Sequence, residues 1–219
     1  MSAPAPRLLV GAGSFAEARR ALRLAELLRG RALGRVGGLL LADPLPGRLA
    51  ELPGQRLVSF GGELSPAPGR AAFARLASGD ARAFEAALRA FAAQAGTGWS
   101  FERREAELAE GLLGAAADWD LVVIGQGADT AAAGRVVLVS ARGDGPGPLY
   151  PLAADLAGRM GADLVESGLD AAGRARLGRM SVACLVIDRA DALALGRAGL
   201  RALLDAARGP VLLAAPRAG

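Results

Sequence analysis

Asp118-Trp119-Asp120-Leu121-Val122-Val123-Ile124-Gly125-Gln126-Gly127 (residues 118–127) decides the fold class. Four consecutive apolar residues, two of them valine and one isoleucine, follow an aspartate-flanked junction and run into a glycine turn. A short apolar run bounded this way reads as a strand buried on both faces, the kind found in a parallel sheet. The residues before it, Glu105–Ala117, have helical periodicity and open with acidic side chains. Helix, buried strand and glycine turn together define one step of an α/β alternation. In open sheets of this class ligands lie beyond the carboxyl ends of the strands, so Gly125, Gln126 and Gly127 are candidate ligand-contacting residues.

The same alternation extends in both directions. Leu8–Ala12 is a short apolar strand, and Ser14 with Glu17 forms a capping box that opens a helix carrying Ala18, Ala21, Leu22, Ala25 and Leu28 on one face. Gly30 suits the C′ position of that helix. Val36–Ala42 is the next strand and ends at Asp43-Pro44, completing a right-handed βαβ unit. Residues 44–69 are rich in Pro and Gly and read as a loop insertion with a short extended piece at Arg56–Phe60. Arg70–Ala95 is helical, with a break expected at Ser78-Gly79-Asp80 and Asp80 capping the second segment. Trp99–Arg103 alternates as a strand. Beyond it, strands are expected at Val136–Val139, Ala162–Val165, Ala183–Ile187 and Val211–Ala214, with helices at Leu149–Met160 and Ala198–Ala207. The chain thus divides into two related halves, 1–134 and a shorter 135–219, the second lacking a helix and a strand that the first has. The fold class is α/β, doubly wound, with mainly parallel, Rossmann-like sheets in two unequal halves.

Composition narrows the chemistry. The chain has 219 residues, 52% of them hydrophobic and only 4% aromatic, so its core is aliphatic. It contains no His, and because it also lacks Lys its 26 basic residues are all Arg. Without His, a serine-histidine triad at Ser14 or Ser140 is excluded. The net charge of +4 is spread among acidic partners, as where Arg19, Arg20 and Arg23 share a helix with Glu17 and Glu26. No arginine run is interleaved with aromatics, so nucleic acid is not an expected partner. No segment has the apolar length needed to cross a bilayer, and the Pro-rich N-terminus lacks the form of a signal peptide. The single Cys184 lies in an apolar run and reads as a buried small hydrophobe in a reducing cytoplasm.

Four features make the chain resemble the universal stress protein family, as a degenerate tandem of two units. They are Arg7-Leu8-Leu9-Val10-Gly11-Ala12-Gly13-Ser14; Trp99-Ser100-Phe101-Glu102 with Glu107-Leu108-Ala109-Glu110-Gly111-Leu112-Leu113; Asp120-Leu121-Val122-Val123-Ile124-Gly125; and Gly209-Pro210-Val211-Leu212-Leu213. Their order and spacing carry the resemblance. It implies a parallel five-stranded sheet per unit, ATP in some members, and units that pair through terminal strands as two protomers would. Val136–Val139 and Val211–Ala214 are the strands expected to make that pairing, and a homodimer is also compatible with it. ATP-binding members carry an acid at the end of the first strand, where this chain has Gly13. They also carry a spaced glycine-hydroxyl ending after the fourth strand, which Asp129-Thr130-Ala131-Ala132-Ala133-Gly134 does not supply; the helix that normally follows is missing too. The resemblance therefore implies a cytoplasmic regulatory or binding protein, non-catalytic, with a reduced or lost adenine-nucleotide site.

A different reading takes Gly11-Ala12-Gly13-Ser14-Phe15-Ala16 as the glycine fingerprint of dinucleotide-binding folds, with Asp43 on the ribose hydroxyls. It would make the protein an NAD-type enzyme. The candidate cofactor-binding residues are thus Gly11, Ala12, Gly13, Ser14, Asp43, Gly125, Gln126 and Gly127, with ATP the cofactor that the resemblance admits and no metal expected. Asp188-Arg189-Ala190-Asp191 reads as a polar loop at a strand end, on the edge where ligands bind. Arg142-Gly143-Asp144-Gly145-Pro146-Gly147-Pro148 reads as a flexible loop in the place of the second half's first ligand loop. Asp118 and Asp120 read as turn and cap groups on the opposite edge.

Overall fold

The computed structural model describes residues 4–28, 32–45, 48, 56–58, 62–66, 69–126, 134–141 and 147–216. Its elements are β1 (Arg7–Ala12), α1 (Phe15–Leu28), β2 (Arg35–Ala42), β3 (Arg56–Val58), β4 (Leu64–Pro66), α2 (Arg70–Ala95), β5 (Gly98–Glu105), α3 (Leu108–Ala116) and β6 (Leu121–Ile124). The second half follows with β7 (Arg135–Ser140), α4 (Tyr150–Met160), β8 (Leu164–Gly168), α5 (Ala171–Leu177), β9 (Val182–Asp188), α6 (Arg189–Ala194), α7 (Gly196–Ala207) and β10 (Val211–Ala214). Eight strands form one sheet in the order β5-β2-β1-β6-β10-β9-β7-β8, and β3 with β4 forms a separate antiparallel hairpin. Every pairing in the large sheet is parallel except β6 with β10, where Ile124 faces Val211 and Leu121 faces Ala214. The molecule is an α/β protein with a Rossmann-like, mainly parallel sheet.

Alternation along the strands distributes the core to two faces. Leu8, Val10, Val36, Leu40, Val136 and Leu138 pack under α1, α2 and α4, with Phe84, Leu88 and Phe91 supplied by α2. Leu9, Leu39, Leu41, Val137, Val139, Leu185 and Ile187 pack under α3 and α7 on the other face. Among the described residues no polar or charged side chain belongs to the core. The Cys184 thiol is fully buried, and its desolvation pushes its pKa up to about 12, which makes it inert at neutral pH.

Several expectations change in the folded chain. α2 runs unbroken through Ser78-Gly79-Asp80. The Ser78 hydroxyl donates to the Ala74 carbonyl at 2.8 Å, so its polar group is satisfied within the helix and Asp80 caps nothing. β7 does not pair the halves: it lies inside the second half between β9 and β8, and only β10 of the two strands named reaches the seam. A strand apolar on both faces is an interior strand, and Val136–Val139 is buried throughout. Each half contributes four strands to the sheet, so the second half is not one strand short in it. The halves differ instead in distribution: β1 has β2 and β5 outward and β6 inward, whereas β7 has β8 outward and β9 and β10 inward. Helices α5 and α6 were not anticipated; each begins at an aspartate whose side chain accepts a backbone N–H, Asp170 from Gly173 at 2.7 Å and Asp188 from Ala190 at 2.8 Å. Gly30 and the end of the Arg56–Phe60 piece lie outside the described residues.

The antiparallel seam points the carboxyl edges of the two halves to opposite sides of the sheet. Charged side chains tie the halves across it. The Arg189 guanidinium donates to the carbonyls of Ala116, Ala117 and Trp119, at and just beyond the end of α3. Arg197 pairs with Glu110 and Arg201 with Glu107, each at 3.3 Å, between α7 and α3. On the other face the Arg159 guanidinium reaches the Leu27 carbonyl of α1 at 3.0 Å. Asp120 closes the opposite edge of the first half, accepting from the Arg7 backbone N–H at 2.7 Å. Burial pushes the Asp120 carboxyl up, but the hydrogen bonds and charge of Arg7 and the charge of Arg189 outweigh it and leave it below its ordinary value.

Candidate functional site

In a doubly wound sheet the crevice forms where successive crossovers leave a strand in opposite directions. Here that happens twice, between β1 and β6 and between β7 and β9. The two places are built differently.

At the first, β1 and α1 are joined by Gly13 and Ser14 alone. The Ser14 hydroxyl accepts the Glu17 N–H at 3.3 Å, and the Glu17 carboxylate folds back to accept the Gly13 N–H at 2.7 Å. A carboxylate of the chain therefore occupies the start of α1, where a phosphate would otherwise find free N–H groups and a favourable dipole. Glu17 is mostly buried, and desolvation, with a smaller push from the nearby Asp80 charge, raises its pKa against the lowering effect of Gly13, Arg20 and Ser14. Gly11 is not in the turn; it sits within β1 opposite Leu39 and Ile124, and a Cβ there would lie 2.5 Å from Leu112 Cδ2 of α3. Ala12, the last residue of β1, is fully buried. The Gly125 N–H is spent on the Gly11 carbonyl at 3.1 Å, continuing the ladder. A Cβ on Gly125 would lie 1.8 Å from the Glu17 carbonyl oxygen, so only glycine allows α1 to sit on the end of β6. The Gln126 amide turns away to donate to the Leu204 carbonyl of α7 at 2.6 Å, and Gly127 lies outside the described residues.

Of the sequence-derived candidates, Gly13 and Asp43 come together in a cleft of about 550 Å³ over the carboxyl ends of β1, β2 and β5. Its walls include Phe73, Leu76 and Asp80 of α2 and Arg103 and Glu105 of β5. Asp43 uses one oxygen to accept the Leu45 N–H at 2.8 Å, forming an Asx turn that ends β2. Gly11, Ala12, Ser14, Gly125 and Gln126 do not line this cleft; they hold β1, α1, β6 and α7 together.

At the second switch point the connection from β7 to α4 spans residues 141–149, and a crevice of about 270 Å³ remains open between the ends of β7 and β9. Apolar walls come from Leu138, Val139, Pro148, Leu149 and Pro216, and polar groups from Ser140, Asp188 and Asp191. Asp188 caps α6, while Asp191 accepts the Ala141 N–H at 3.1 Å. On the other side of β7 a second crevice, about 310 Å³, is lined by Ser140, Glu166, Ser167, Asp170 and Arg176. The sequence marked the 188–191 segment as lying on the ligand edge, but nothing in it paired those aspartates with Leu138, Leu149 or Pro216. Arg142–Pro146 of the flexible-loop reading lie outside the described residues. No group of three or more acidic or thiol side chains among the described residues is arranged to hold a metal. No described helix is long and apolar enough to cross a membrane.

The architecture defines an α/β protein with two switch points, one where α1 packs on the end of β6 and one beside an open crevice. A universal stress protein from Archaeoglobus fulgidus DSM 4304 is among the solved structures it resembles, at 10% identity over 96% of each chain with a TM-score of 0.42. No protein-family model matches the sequence, and no curated protein matches it.

Proposed function

We propose that this chain is a non-catalytic, cytoplasmic binding or regulatory protein of universal-stress-protein-like build, a degenerate pair of units whose first adenine-nucleotide site has been lost. The observation that carries the reading is the Glu17 carboxylate on the Gly13 N–H at 2.7 Å. A phosphate brought to this turn would have to displace a half-buried carboxylate, and in the adjoining cleft Arg48 and Arg103 are offset by Asp43, Asp80 and Glu105. The same geometry disfavours the dinucleotide reading, because Gly11 lies inside β1 against Leu112 and the Gly13 N–H is held by the Glu17 carboxylate. The absence of His removes imidazole as a base, so the chain has no serine-histidine chemistry.

Thermal unfolding with excess ATP–Mg²⁺ and, separately, NAD(H) tests this. A ligand at a hundred times its dissociation constant stabilises by about 2.7 kcal/mol, a shift of roughly 5–10 °C for a chain of this size. The expected result is no shift with either. A shift with ATP would restore the nucleotide-binding role, and a shift with NAD(H) would favour the enzyme.

A further inference from the structure

We propose that the crevice between the carboxyl ends of β7 and β9 is a binding site for a small organic cation, an amine on an apolar body, with Asp188 and Asp191 as its counter-charges. This site is separate from the first-half turn and does not depend on whether that turn has lost its nucleotide.

Three observations converge. The first is position: the crevice lies at a topological switch point, beyond strand carboxyl ends, where this architecture leaves room for a ligand. The second is shape and lining. Its volume of about 270 Å³ is just below the roughly 300–1,000 Å³ of drug-sized sites, so the ligand is small. Leu138, Val139, Pro148, Leu149 and Pro216 offer aliphatic contact, which suits a hydrocarbon body and not a bare metal ion. The third is charge. The chain carries +4 overall, yet the described residues that line this crevice include two aspartates and no arginine, Arg142 lying outside the described residues. The nearest arginine in sequence, Arg189, directs its guanidinium across the seam to Ala116, Ala117 and Trp119.

The carboxylates are held in place but retain acceptor capacity. Asp188 spends Oδ1 on the Ala190 N–H, and Asp191 spends Oδ2 on the Ala141 N–H. An ionised carboxylate has about four lone-pair positions, so each aspartate can still accept from an ammonium group. Both backbone hydrogen bonds fix the side chains before any ligand arrives, which lowers the ordering cost of binding. A ligand offering only acceptors, such as a phosphate or carboxylate, would meet like charge and find no described donor side chain except Ser140.

The test is calorimetric titration of the full chain at pH 7 with three probes that share a phenethyl body: phenethylamine, 2-phenylethanol and 3-phenylpropionate. The expected result is saturable binding of the amine, at least tenfold tighter than the alcohol, with no binding of the carboxylate. The double variant Asp188→Asn, Asp191→Asn keeps an acceptor for the Ala190 and Ala141 N–H groups and removes the charge. It should weaken the amine tenfold or more and leave the alcohol unchanged. The proposal fails if none of the probes binds, if the amine binds no tighter than the alcohol, if the carboxylate binds best, or if the double variant holds the amine as well as wild type. The probe series on the unmodified chain decides the matter even if the double variant does not fold.

Discussion

The β1–α1 and β7–α4 connections start from equivalent positions, each leaving the central strand of its half for the neighbouring outward strand. The first uses only residues 13–14, so α1 starts directly over the end of β6 and the Glu17 carbonyl presses on Gly125. The second uses residues 141–149, so α4 starts farther along and the end of β9 stays open. A two-residue connection and a glycine at position 125 together set α1 on the end of β6. At the first switch point the protein supplies its own anion; at the second it supplies two carboxylates and an apolar wall.

One methyl group added at each place, at Gly125 under α1 and at Gly147 in the β7–α4 connection, tests this difference most strongly. Gly125→Ala forces a backbone clash with α1 and should cost about 3 kcal/mol or more, seen in urea unfolding as a large fall in the midpoint. Gly147→Ala, where nothing lies within 4 Å of the added Cβ, should stay within about 0.5 kcal/mol of wild type. Equal effects would mean α1 does not pack on the end of β6 in the way described. Next in size is Arg189→Ala, which removes the side-chain donor shared by the carbonyls of Ala116, Ala117 and Trp119. The expected loss, read from the same urea midpoint, is about 1–3 kcal/mol.

Smaller still is Glu17→Gln, which keeps an acceptor for Gly13 and removes the buried charge. Because the folded pKa of Glu17 is raised, mainly by desolvation, above its ordinary 4.5, the fold favours the protonated carboxyl more than the unfolded chain does. This contribution is fully present below the unfolded pKa and is lost as pH rises through the folded one. At neutral pH the variant should therefore unfold no lower than wild type, and its advantage should vanish as pH falls through the folded pKa. A loss of stability in the variant at pH 7 would show that the carboxylate's charge at the start of α1 outweighs its desolvation. Smallest of all, Arg197→Ala breaks an exposed pair with Glu110 and should cost no more than about 0.5 kcal/mol, measured by chemical unfolding.

The strand-helix alternation was legible because buried parallel strands are short continuous apolar runs, as in Leu121–Ile124 and Val136–Val139. Helix ends were less so: a Ser-Gly-Asp triplet at 78–80 carries the local signature of a break, yet Phe84, Leu88 and Phe91 anchor α2 to the core and Ser78 bonds inside the helix. Glycine spacing at Gly11, Gly13, Gly125 and Gly127 was visible, but spacing does not distinguish a glycine that frees backbone for a ligand from one that lets two elements touch. That distinction needs the Leu112 and Glu17 atoms that stand 2.5 Å and 1.8 Å from the absent Cβ positions.

Local composition and periodicity were enough to determine an aliphatic, α/β, mainly parallel protein without imidazole chemistry, because burial and backbone pairing act through patterns a few residues long. The antiparallel β6–β10 seam, the sealed start of α1, and the meeting of Asp188 and Asp191 with Leu138, Leu149 and Pro216 were settled only in three dimensions. Each depends on where crossovers of different length set down elements distant in sequence, and no local pattern encodes that distance.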